Sequence, residues 1–157
     1  MPDKETVARA RQDAREGKAP STQAGEFVRE EIEHIREGKH GARSTKQAIA
    51  IGLSKARRAG VKLAAPKAGS TSARTRKQAK RDTERGRAAS PAAPSSTRSL
   101  ATSRVLKKEG RSAASHTALA KQAKSAARKR SRAARSEQAK RAARTRRASQ
   151  ASTGGSK

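Results

Sequence analysis

The chain has 157 residues, with 40 Lys+Arg against 13 Asp+Glu and a formal net charge of +27. It holds one Phe, one Met and no Trp, Tyr or Cys, and its hydrophobic fraction is 31%, much of it alanine. Burying a large apolar side chain contributes roughly 1.5–3 kcal/mol against about 1–2 kcal/mol of backbone entropy per ordered residue. This composition therefore excludes a single core ordering the whole length, and the lack of cysteine excludes disulfides, thiolate metal sites and a Cys nucleophile.

A charge this large speaks to partners rather than to fold, and phosphate polymers suit it better than anionic membrane. The opening PDKETVARAR lacks the apolar core of a signal peptide, and Ala48–Leu53 is too short to span a bilayer. A cytoplasmic, nucleoid-associated protein with no membrane partner is expected. The charge is uneven. Residues 1–61 carry 13 Lys+Arg and 9 Asp+Glu, whereas residues 62–157 carry 27 and 4. Large apolar residues thin out at the same place, which marks the boundary of a head.

In chain order, Asp3 caps a first helix running to about Glu16, with Gly17 as its stop and Pro20 beyond. Ser21 or Thr22 caps a second helix reaching Glu37 and stopped by Gly38. Phe27, Val28, Ile32 and Ile35 form its apolar stripe, and Glu26, Glu30, Glu33 and Glu37 its wet side. After the loop Lys39–Arg43, Ser44 and Gln47 make a capping box for a third helix. Ile49, Gly52, Leu53 and Ala56 form its buried face, and the small residues allow close approach of the second helix. Gly60 ends it, with Val61 and Leu63 folding back. Pro66, Pro91 and Pro94 interrupt the next stretch, in which Thr75–Arg85 has helical propensity but no apolar face. Ser99–Glu109 has a modest helical pattern ending at Gly110. From Ser112 to Arg147 no Pro or Gly occurs, and Ala, Lys and Arg favour helix while their charges oppose it.

The expected architecture is mainly α. A small helical hairpin, or three helices with the first, makes the head over 1–63. A disordered linker follows over 64–98, then a basic Ala/Lys/Arg-rich helical segment over 99–150 and a flexible C-terminus over 151–157. The tail as a whole is expected to be largely disordered or a solitary helix. There is also an internal echo: Glu37-Gly38, Ser44 and Ser54–Arg58 parallel Glu109-Gly110, Ser115 and Ser125–Lys129, so that in both a Gly stop leads to a Ser-capped helix ending in basic residues.

Three places can carry chemistry. At the loop 38–45, Lys39, His40 and Arg43 surround helix-start amides able to hold a phosphate. Lys55, Arg57 and Arg58 lie at the end of the third helix, and Lys46 on its first turn. A helix–turn–helix placement would present Lys46, Gln47, Ala50 and Ser54 to a groove. In the tail, Lys121, Lys124, Arg128, Arg132 and Arg135 line one side of a helix and offer multi-site phosphate contact. Near-absence of aromatics argues against base stacking and for duplex or structured nucleic acid. His34 has Glu30, Glu31 and Glu37 within helical reach, an arrangement more often a solvated face than a metal site. No metal, cofactor or catalytic constellation is expected.

The run PSTQAGEFVREEIEHIREGKHGARSTKQAIAIGLSKARRAGVKL resembles the shared block of a family of small basic bacterial proteins carrying a domain of unknown function, over roughly residues 18–63. The stretch VLKKEGRSAASHTALAKQAKSAARKR resembles that family's C-terminal part. The tail is similar in composition to bacterial histone-H1-like nucleoid proteins, which implies sequence-independent binding of duplex DNA. A structured-RNA or ribosome-associated protein is an alternative. Another is a protein-interaction module self-associating through the 21–60 hairpin, with a solubilising tail.

Overall fold

The computed structural model describes residues 2–88 and 95–153, and most of the described residues are helical, the longest connection running over 59–72. In order they form α1 (Lys4–Arg15), α2 (Pro20–Arg36), α3 (Thr45–Arg58), α4 (Ala73–Arg87), α5 (Ser96–Lys108), a 3-10 turn at Ser112–Ala114, α6 (His116–Arg128) and α7 (Arg132–Thr153). Two compact units divide between Leu119 and Ala120.

In the first unit α2 packs on α1 and α3, and α3 on α4. The glycine stops act as expected. Gly17, Gly38 and Gly60 all take positive φ, the left-handed conformation that closes a helix. Pro20 opens α2 with Ala19 before it, so neither Ser21 nor Thr22 caps that helix. Proline suits a first turn because its missing N–H would have no helical partner there. Ser44 does cap α3, accepting from Gln47 N at 3.2 Å. The return bond is displaced by one residue: Gln47 Oε1 accepts from the Arg43 amide at 2.8 Å.

Two apolar clusters flank α2. Phe27 is fully buried among Ala10, Ala24, Ala56 and Val61, with Leu53 and Leu63 partly buried against them. Ile32 and Ile35 form the other cluster with Ala42, Ala48, Ala113 and Ala114. Gly52 lies against α2 so closely that a Cβ there would come within 2.7 Å of Val28 Cα. The close approach expected of α3's small residues is therefore real.

The description of a hairpin followed by a disordered tail is overturned. The expected linker contains α4, which packs on α3 through small residues and one acid rather than an apolar stripe. Ser72 caps it, accepting from Thr75 N, and Ala79 and Asp82 are buried. Asp82 accepts hydrogen bonds from Ser54 Oγ and Gln78 Nε2. Gly86 lets the helix sit directly on the Arg57 carbonyl, where no Cβ would fit. Pro91 and Pro94 lie outside the described residues.

The expected single helix over 112–147 is broken twice. The 3-10 turn precedes Ser115, which caps α6 by accepting from Ala118 N. Lys129–Ser131 interrupt the chain again, and Ser131 Oγ accepts from Ala134 N to start α7. That helix reaches Thr153, within the segment expected to be a flexible tip, and residues 154–157 lie outside the described set.

The two echoing Gly turns clasp each other. Gly41 N donates to Leu106 O at 2.8 Å and Ala42 N to Gly110 O at 3.1 Å. Thr45 Oγ1 donates to Ala113 O at 2.7 Å in a buried position. Arg36 Nε donates to Ala114 O at 2.9 Å, and Leu119 packs on the Ile32/Ile35 cluster. A Cβ at Gly41 would collide with the Glu109 carbonyl. Alanines and main-chain carbonyls thus tie residues 106–119 to the hairpin.

Candidate functional site

The twelve basic residues singled out in the sequence separate into two groups. Lys121, Lys124, Arg128, Arg132 and Arg135 are all exposed, on α6 or next to and within α7. Lys39, Arg43, Lys46 and Arg58 are exposed as well. Lys39 pairs with Glu37 at 2.9 Å. Arg43 stands 3.8 Å from Glu109, and Arg58 stands 3.8 Å from Asp82.

The remaining three turn inward. Arg57 is 6% exposed. Its guanidinium donates to Leu53 O at 3.5 Å and Ala64 O at 3.2 Å. Burial pulls it below the ordinary arginine value, with the Asp82 charge opposing, though it stays charged. Lys55 places its ammonium 3.0 Å from Glu30 and 2.8 Å from Glu31. Burial lowers the Lys55 pKa, but the two carboxylates outweigh this and the net direction is up. Burial raises Glu30, and Lys55, the Asp3 amide and Thr6 more than reverse it, leaving Glu30 below the usual carboxylate range. His40 Nε2 faces Glu31 Oε1 at 3.4 Å. The loop 38–45 is also used internally, since the Gly41, Ala42 and Arg43 amides all donate within the chain.

The wet side assigned to α2 needs correction at Glu30, and so does the solvated face expected of Glu31 beside His34. Glu30 and Glu31 are 3% and 0% exposed. Glu30 accepts from the Asp3 amide at 3.1 Å, and Asp3 Oδ2 lies 3.3 Å from His34 Nε2. Asp3 thus precedes α1 as expected, but its side chain makes no cap hydrogen bond. Periodicity alone missed this cluster because Lys55, which draws the acids inward, lies 24 and 25 residues away. The signal available was Glu30-Glu31 directly beside the apolar Ile32, on a helix with too many acids for one wet face.

The described chain is thus an all-helical, strongly basic protein with an internally ion-paired head. Residues 21–68, which hold α2, α3 and the connection after them, match a family of unknown function (DUF6496). No curated protein matches the chain, and no solved structure does. Among the described residues no helix is long and apolar enough to cross a membrane.

Proposed function

We propose that the protein is a non-catalytic nucleic-acid-binding protein that holds duplex DNA by phosphate contacts without reading sequence, in a bacterial nucleoid role of the histone-H1-like kind. The observation that carries this reading is the charge of residues 120–157. They include 13 Lys+Arg and a single acid, Glu137, and no residue of α6 is buried. Cations in that proportion outnumber any acid able to neutralise them, and polyphosphate supplies the missing charge. Phe27 is buried, so the chain's one aromatic side chain is not a stacking platform, which favours a backbone-held duplex over single strands. The protein-interaction alternative has less surface available. Residues 113, 114 and 119 already cover the Ile32/Ile35 cluster of the hairpin.

The test is titration of the full chain, and of a chain ending at Leu119, against duplex DNA and structured RNA over a series of salt concentrations. The full chain should bind DNA with log K falling by about 0.9 per phosphate contacted, and the shortened chain should bind more weakly with a shallower slope. Absence of binding by the full chain at physiological salt sinks the reading. Tighter binding to RNA moves it to a structured-RNA or ribosomal role.

A further inference from the structure

A buried acid inside a chain of +27 needs a reason, and Glu31 has an incomplete one. It is fully buried, its Oε2 has only the Lys55 ammonium at 2.8 Å, and its Oε1 accepts no hydrogen bond. The same Lys55 ammonium also serves Glu30, at 3.0 Å. One cation shared by two carboxylates leaves an excess negative charge in a place from which water is excluded, and buried charge without hydrogen bonds is costly.

Two imidazoles stand beside its carboxylate. One carboxylate oxygen of Glu31 and one ring nitrogen each of His34 and His40 lie within 4.8 Å of one another. Glu31 and His34 are one turn apart on α2, and the left-handed turn at Gly38 brings His40 back beside them. The rings of His34 and His40 meet edge to face, with centroids 6.2 Å apart. His40 Nδ1 is 3.1 Å from Gly41 O. With Nε2 on a metal ion, the Nδ1–H would donate to that carbonyl. Between His40 Nε2 and Glu31 Oε1 the separation of 3.4 Å exceeds an ordinary N–H···O bond. It matches the edge of a tetrahedron around Zn²⁺, about 3.3–3.4 Å for ligands at about 2.0–2.1 Å. Metal-bound histidines characteristically donate their other ring nitrogen to a carbonyl or carboxylate. His40 has Gly41 O for this, and His34 Nε2 has Asp3 at 3.3 Å. Of the three, His34 also lines an open polar groove with Asp3, Glu30 and Glu33.

We propose that Glu31, His34 and His40 bind a divalent transition-metal ion of the class that imidazole and carboxylate share, with Zn²⁺ the best fit and one coordination position left for water. Two neutral nitrogens and one carboxylate are the donor set that class prefers. The ion ties the end of α2 to the loop that holds residues 106–114 and so stiffens that clasp. This site does not depend on the nucleic-acid reading.

The test uses the full chain without an affinity tag, stripped by a chelator and titrated with Zn²⁺ by calorimetry and with Co²⁺ by visible absorption. One equivalent should bind, the Co²⁺ complex should show the intense d–d bands of four-coordination, and Zn²⁺ should raise the melting temperature. His40→Gln and His34→Gln should each weaken binding at least tenfold. His116→Gln, on an exposed histidine of α6, should bind as the parent does. Absence of stoichiometric binding, or equal affinity in His40→Gln, overturns the proposal. Should the α2 variants fold poorly, the Co²⁺ spectrum of the parent chain still decides, since octahedral, weakly absorbing Co²⁺ contradicts the site.

Discussion

Residues 1–119 and 120–153 are both helical and both rich in Lys and Arg, yet the cations are used differently. In the first unit twelve acids are present, and Arg9, Lys18 and Lys55 each bridge two of them. Arg57 instead holds main-chain carbonyls. In the second unit Glu137 is the one acid, and its pairing with Lys140 is exposed. The difference shows that residue type does not set a cation's role. A cation with an acid or carbonyl within reach of a small core becomes structural, and one without it faces solvent.

The sharpest way to break this comparison is to make the same substitution on both sides. Lys55→Ala strands Glu30 and Glu31 and should cost about 3–5 kcal/mol in urea unfolding. Lys121→Ala should stay within about 0.5 kcal/mol. Equal costs would show that Lys55 is not structural. Phe27→Ala should lower stability by a similar amount, about 3–5 kcal/mol, measured by the same unfolding curves. Its effect on DNA affinity at a temperature where the head remains folded should be small.

A smaller effect is expected at the clasp. Thr45→Val removes the buried bond to Ala113 O and should cost about 1–3 kcal/mol. Hydrogen exchange should then speed up over 106–119 more than in α1, and uniform acceleration would mean the clasp is not a local unit. The buried pair also gives a pH profile. Glu30 lies below its ordinary value, so its contribution is present above about pH 4.3 and fades as pH falls through its depressed folded value. Lys55 lies above its ordinary value, so its contribution is present below about pH 10.4 and fades as pH rises through its raised folded value. In a denaturation-against-pH curve, Lys55→Met should flatten the alkaline limb and weaken or reverse the acid one, because burial, the largest influence on Glu30, raises its pKa once Lys55 is gone.

The smallest structural effect should accompany the clearest binding effect. Arg132→Ala with Arg135→Ala should leave the melting temperature within a degree or two. It should also reduce the magnitude of the salt slope for duplex DNA by about 2, at roughly 0.9 per lost contact. An unchanged slope would remove α7 from the interface.

Much of the fold near the N-terminus was legible because it rests on local rules. Ser44 as the cap of α3, and Gly17, Gly38 and Gly60 as stops, are legible because caps and left-handed turns depend on residues a few positions apart; Asp3 stands at the start of α1 but does not cap it with its side chain. Phe27, Ile32 and Ile35 declared their burial by spacing. The order of α4 did not show, because its contact is made by Ala79, Gly86 and a buried Asp82, none of which a search for large apolar stripes rewards.

The sequence by itself determined that the chain is helical, basic and starved of aromatic core, and that its positive charge concentrates after residue 61. Tertiary structure alone decided that Glu30 and Glu31 face inward, that Lys55 and Arg57 follow them, and that residues 106–119 close over the hairpin. The reason is physical. A buried ion pair forms where two elements meet at large sequence separation, which no local period records. The clasp is built from alanine methyls and from carbonyls that every residue carries alike, so nothing in the side-chain order announces it.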